Sequence, residues 1–194
     1  MKIEYEAKFP NIDKDEIRER LKKAGAQLVR PEFLQKRCTF NLPKGHEING
    51  GWLRVRDEGD KITMTLKIVD GEKIENQKEI ILKVDNFSEA ENFLILLGCN
   101  KKSYQETKRE MWELDGVEVD IDEWPYLEPY VEVEGKNEEA VNKVSEKLGF
   151  DYDKAIFCCV TTLYNMKYGT PEEVINNQIP EITFEGKNPF ENLK

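Results

Sequence analysis

Glu4, Glu6 and Lys8 occupy alternate positions near the N-terminus, so an extended chain projects all three from one face. The same spacing recurs in Arg54 and Arg56, in Thr63, Thr65 and Lys67, in Asp120 and Asp122, and in Glu132 and Glu134. Any one of these faces is as easily the solvated outer side of a sheet. Together they give some strands paired carboxylates and others paired guanidinium or ammonium groups. If the faces line one closed barrel, an acidic wall meets a basic wall, and burying such charges without partners is very costly. A bound polyanion with a divalent cation resolves that cost. Arg54, Arg56, Lys67 and Lys8 would neutralise phosphate oxygens, with arginine able to bind them in pairs. Glu4, Glu6, Glu132 and Glu134 offer hard oxygen ligands suited to Mg²⁺ or Mn²⁺.

The elements that must hold these groups are mostly strands. Period-two alternation marks residues 4–9, 52–56, 62–67, 78–83, 117–122 and 130–134. Glu58-Gly59-Asp60 and Asp115-Gly116 fit hairpin turns. Helices are expected over 13–24, stopped by Gly25; over 88–97, with Ser88 as cap and Gly98 as stop; and over 137–148, closed by Gly149. A weaker helix begins at Thr170-Pro171, with Thr170 capping and Glu173 completing a capping box. A faint internal repeat pairs Glu4-Tyr5-Glu6 and its helix with Glu132-Val133-Glu134 and its helix, as two halves about a pseudo-twofold would.

Length and composition fit one domain, or one domain with an appendage. With 35% charged residues and a net charge of −10, the surface repels nucleic acid in general, although a basic pocket can sit inside an acidic shell. No apolar run reaches membrane-spanning length, and the N-terminus lacks a signal-peptide core, so a cytoplasmic protein without a membrane partner is expected. Cys38, Cys99, Cys158 and Cys159 contain no CxxC and are expected as free, mostly buried thiols. His46 is the one histidine and lies among loop residues, which argues against a histidine triad or a multi-histidine zinc site.

The ordered series Glu4-x-Glu6-x-Lys8, Leu53-Arg54-Val55-Arg56, Thr65-Leu66-Lys67, Glu79, Lys108-Arg109 with Trp112, Asp120-x-Asp122 and Glu132-x-Glu134 resembles the CYTH superfamily over residues 1–168. That group includes class IV adenylyl cyclases, thiamine triphosphatases and inorganic triphosphatases. The resemblance implies an α+β fold: an eight-stranded antiparallel β-tunnel with flanking helices over 1–168, and a C-terminal extension over 169–194. It implies Glu4, Glu6 and Glu134 as metal ligands, supported by Glu132 and Asp122. It implies Lys8, Arg54, Arg56, Lys67 and Arg109 as triphosphate-binding residues, and Glu79 on the tunnel wall, where it places a basic residue or contacts a second metal. Glu4, Glu6 and Lys8 are the expected catalytic group.

The chain departs from the family pattern in places. Thr107 stands where a lysine is common, and the adjacent Lys108 faces the other side of a strand. The second strand, Gln35-Lys36-Arg37-Cys38-Thr39-Phe40, keeps only its final aromatic, and no Lys-Gly-Pro follows Lys67. Hydrolysis of inorganic triphosphate or a small organic or nucleoside triphosphate is therefore the expected chemistry, by a monomer or homodimer. A cyclase making cyclic AMP from ATP is the alternative enzyme, and a non-catalytic polyphosphate or nucleotide sensor the alternative class. Trp124-Pro125-Tyr126 reads as a turn packing its own aromatics, or as a frame for the tunnel mouth. The tail reads equally as a tunnel cover, a partner contact or a loose extension.

Overall fold

The computed structural model describes residues 1–191. The chain runs β1 (Lys2–Ile3), β2 (Tyr5–Pro10), α1 (Lys14–Ala24), β3 (Gln27–Asn41), β4 (Gly51–Asp57), β5 (Ile62–Val69), β6 (Gln77–Val84), α2 (Phe87–Leu96), β7 (Asn100–Leu114), β8 (Val117–Glu123), β9 (Tyr130–Gly135), α3 (Glu138–Lys147), α4 (Val160–Tyr168), α5 (Glu172–Gln178) and β10 (Glu181–Ile182). Hydrogen-bonded neighbours follow the order β1-β6-β5-β4-β3-β7-β8-β9-β2, and β10 adds to β7 in parallel. β1 and β2 are one N-terminal strand broken at Glu4, so the two ends of this order are the same strand. Lys2 pairs with Glu79 on one side, Glu6 pairs with Glu134 on the other, and the Glu4 N–H donates to the Gln77 carbonyl at 2.9 Å. Counting that strand once gives a wall of eight strands, and β10 makes nine against the eight expected.

Alternation sorts the side chains. Ala7, Phe9, Val119, Ile121, Val131 and Val133 point outward and pack with Ile17 and Leu21 of α1 and with Val141 and Val144 of α3. The main apolar core therefore lies between the wall and its helices, and the barrel interior is left to polar groups. A second core places Ala90 and Leu94 of α2 over Cys38, Phe40 and Val55. A third gathers Trp124 and Tyr130 with Leu163, Tyr164, Ile175, Ile179, Ile182 and Phe190. Residues 169–191 thus share a core with α4 and the wall.

Local signals explain most boundaries. The Asp13 carboxylate caps α1 by accepting from the Asp15 and Glu16 N–H groups, and Gly25 ends it at φ 84°. Two helix starts differ from expectation. α2 is capped by Asn86, whose side chain accepts from the Glu89 N–H at 3.0 Å, so Ser88 lies inside the first turn. α5 begins after Pro171 with no side-chain cap, and the Glu172 carboxylate instead accepts from the Thr162 hydroxyl at 2.7 Å. α4 was not expected, because Val160-Thr161-Thr162 is rich in β-branched residues; burial of Thr161, Leu163 and Tyr164 overrides that propensity. All four cysteines are free, three of them buried. No described helix is long and apolar enough to cross a membrane.

Candidate active site

The two Glu-x-Glu segments become neighbours. In the antiparallel register of β2 and β9, Glu6 faces Glu134 and Lys8 faces Glu132. Glu4, at the break between β1 and β2, joins them, and one carboxylate oxygen from each of Glu4, Glu6 and Glu134 lies within 4.8 Å of the others. Lys67 Nζ lies 3.0 Å from Glu4 Oε2, and Lys8 pairs with Glu6 and lies 3.2 Å from Glu132. Burial, and then the Glu132 charge, push the Glu6 carboxyl up to about 7. Burial and the neighbouring Glu4 do the same to Glu79, also to about 7. Burial alone would push Lys8 down, but Glu132 and Glu6 outweigh it and keep the ammonium charged. This is a dense set of hard oxygen donors, three carboxylates gathered around a single point with only the Lys67 and Lys8 ammonium groups beside Glu4 and Glu6. The set fits a divalent cation such as Mg²⁺ or Mn²⁺.

Across the tunnel stand three guanidinium groups. Arg54 and Arg56 alternate along β4, and the pairing of Arg37 with Arg56 brings β3 alongside. The Nε donors of Arg37, Arg54 and Arg56 are all buried without an acceptor among the described residues. Arg37 is 7% exposed. Burial first, then the charges of Arg54, Arg56 and Arg109, push its pKa well below the arginine range. Burial and Arg56 bring Arg54 down to about 10. Arg56 pairs with the Glu58 carboxylate at 2.6 Å, whereas Arg37 and Arg54 have no carboxylate within 4.0 Å among the described residues, so the wall is short of anions. The surrounding cavity, of about 290 Å³, is lined by both walls.

Arg109 is placed differently from the other arginines. Its guanidinium donates to both oxygens of Asp122 at 2.7 and 2.6 Å and to Glu132 at 2.9 Å, and it lies 2.5 Å from Asp120. Asp122 and Glu132 are therefore bound up with Arg109 and Lys8, and stand outside the Glu4–Glu6–Glu134 group. Thr107 points inward with no exposure, and Lys108 points outward to Glu123 at 3.6 Å, as strand alternation requires. The cation that Thr107 does not supply comes from the neighbouring strand, where Arg37 donates to Thr107 Oγ1 at 2.6 Å. Sequence reading missed Arg37, although Gln35, Arg37 and Thr39 alternate as the other inward sets do. Trp124 is a buried member of the tunnel lining. It packs edge-on against Tyr164 of α4, outside its own turn, and its ring lies 4.5 Å from the Arg37 guanidinium.

This tunnel of opposed charges on an antiparallel barrel belongs to a known class. The CYTH domain family matches residues 2–156, and the chain is a member of it. Among proteins it is similar to, a Methanocaldococcus jannaschii protein named as a candidate adenylate cyclase is 26% identical over 147 residues, which is 75% of this chain and 81% of that one. A solved Pyrococcus horikoshii structure superposes with a TM-score of 0.70 at 20% identity, covering 83% of this chain and 99% of that one. A Hippeastrum protein, titled as a candidate adenylyl cyclase with a dominant triphosphatase activity, superposes with a TM-score of 0.55 at 13% identity, covering 89% of this chain and 99% of that one.

Proposed function

We propose that this protein hydrolyses a triphosphate held in the tunnel, using a divalent cation. The observation that carries the reading is the set of three guanidinium groups, Arg37, Arg54 and Arg56, whose buried Nε donors lack acceptors among the described residues, facing three clustered carboxylates. Phosphate oxygens satisfy those donors, and the positions are fixed before substrate arrives, which is where electrostatic catalysis gains most. Glu4, Glu6 and Glu134 would hold Mg²⁺ or Mn²⁺, which when bound supplies neutralising charge at the phosphate oxygens. Arg54, Arg56 and Arg37 orient the phosphate chain and stabilise charge on the leaving phosphate. Lys8 and Lys67 are held charged between the two walls and complete the grip. Arg109 acts through its carboxylates: it fixes Asp122 and Glu132, and Glu132 in turn holds Lys8. A carboxyl with proton affinity near neutrality, Glu79, receives the proton from the attacking water as the new P–O bond forms and the bridging P–O bond breaks.

The Hippeastrum protein's triphosphatase activity supports hydrolysis. The Methanocaldococcus relative's name favours the second reading, cyclisation of ATP in the same grip. Product analysis with Mn²⁺ or Mg²⁺ and either inorganic triphosphate or ATP separates them, with Glu4→Ala/Glu6→Ala as control. Phosphate release lost in the control is the expected result. Cyclic AMP with pyrophosphate would replace hydrolysis with cyclisation, and binding without any product would leave a sensor.

A further inference from the structure

The tunnel adjoins a second and larger compartment. Thr39, Trp52, Gln105, Cys158, Cys159 and Val160 line both, and the second holds about 680 Å³ against the tunnel's 290 Å³. Residues 155–162, with Glu172 and Asn176 of α5, form one side of it. The family match ends at residue 156, so most of that side is built by chain that follows the shared domain.

The chemistry changes across the junction. The tunnel is charged on both walls, whereas Val69, Ile156, Phe157 and Val160 give the second compartment an apolar body. Its one lysine is Lys102, which has no carboxylate within 4.0 Å among the described residues and reaches only the Asn176 amide oxygen, at 3.5 Å. An inorganic polyphosphate would leave this space unfilled and its apolar surface wet. A flat organic group with an apolar body and polar edges would bury that surface, and hydrogen-bond acceptors on its rim would meet Lys102 and Asn176.

We propose, resting on the triphosphate reading of the tunnel, that residues 155–178 are a substrate-selecting wall and that the second compartment receives the organic part of a nucleoside triphosphate while its phosphates occupy the tunnel. The closing experiment measures steady-state turnover of ATP and of inorganic triphosphate by the wild type, Lys102→Ala and Asn176→Trp. Neither residue belongs to the tunnel's charged walls. The expected result is a KM for ATP raised about tenfold, the scale of one lost hydrogen bond from a charged donor, with turnover of inorganic triphosphate within about twofold of wild type. Lys102→Ala removes atoms from a partly exposed side chain, so it keeps the test readable if Asn176→Trp folds poorly. Equal use of both substrates, or a preference for inorganic triphosphate, with neither variant altering ATP turnover, overturns the proposal and leaves the triphosphatase reading standing. Failure of the wild type to bind either substrate, followed by calorimetry with Mn²⁺ present, overturns both.

Discussion

Arg37 shows how one side chain can carry a site that a motif does not mark. Its terminal nitrogen donates to Gln35 and Thr107, and its Nε has no acceptor among the described residues. The surrounding guanidinium charges oppose its own, so a neutral side chain relieves the metal-free protein while depriving the phosphate chain of a donor. Arg37→Met is expected to lower kcat/KM by about 10²-fold, the scale of one lost preorganised donor, with no fall in Tm. A fall in Tm with kcat/KM unchanged would make Arg37 a structural residue. Glu79 makes a prediction in pH. Its folded pKa, about 7, lies above the ordinary 4.5, so ionising it opposes folding as pH rises through 7 and has no effect below the unfolded value. Glu79→Gln removes that penalty. In metal-free protein its Tm should exceed wild type at pH 8, with the gap closing toward pH 5. A gap independent of pH would show that packing, and not ionisation, sets the difference.

At the scale of elements, strand parity decides which residues reach the tunnel, and parity is what sequence alternation reveals. Glu6, Arg54, Arg56, Lys67 and Glu134 were legible because each sits in a short strand with clean alternation, and Glu4 continues the β2 pattern at the break before it. Arg37 was less legible because β3 is 15 residues long, and register shifts interrupt its pairing with β7, as between Arg30 and Phe33. The grouping of Asp122 and Glu132 around Arg109 was not legible at all, since it depends on the neighbouring register of β7, β8 and β9. Parity also separates two adjacent positions. Lys108→Ala removes an outward, partly exposed ion pair and should change kcat/KM by less than about twofold, with stability within about 0.5 kcal/mol. Thr107→Lys places an ammonium against Arg37 in a fully buried site. It should lower Tm without substrate and recover part of the loss when triphosphate is added. Equal effects from the two substitutions would mean the register of β7 differs from that described.

At the scale of the whole molecule, the chain after the family domain is tied to the tunnel by aromatic packing. Tyr164 stacks on Phe190 with centroids 4.4 Å apart, meets Trp124 edge-on, and donates its hydroxyl to the Pro125 carbonyl at 2.7 Å. Trp124 and Tyr130 belong to this core and to the tunnel lining at once, whereas Ile121 and Val131, beside them in β8 and β9, belong to the core under α1 and α3. Tyr130 and Val131 are adjacent in β9, and Trp124 directly follows β8, so neighbouring residues feed separate cores. Loosening one core strains strands that the other requires, so the two should unfold together. Tyr164→Ala removes a fully buried ring and its hydrogen bond, with an expected loss of about 3 to 5 kcal/mol. Urea titration followed by tryptophan fluorescence and by far-ultraviolet circular dichroism should give one coincident transition in both proteins, moved to lower urea in the variant. Trp112 reports the core under α1 and Trp124 the core around Tyr164, so fluorescence samples both. An early fluorescence change in the variant, with the strand signal unmoved, would mean that the C-terminal segment detaches as its own unit and that the barrel folds without it.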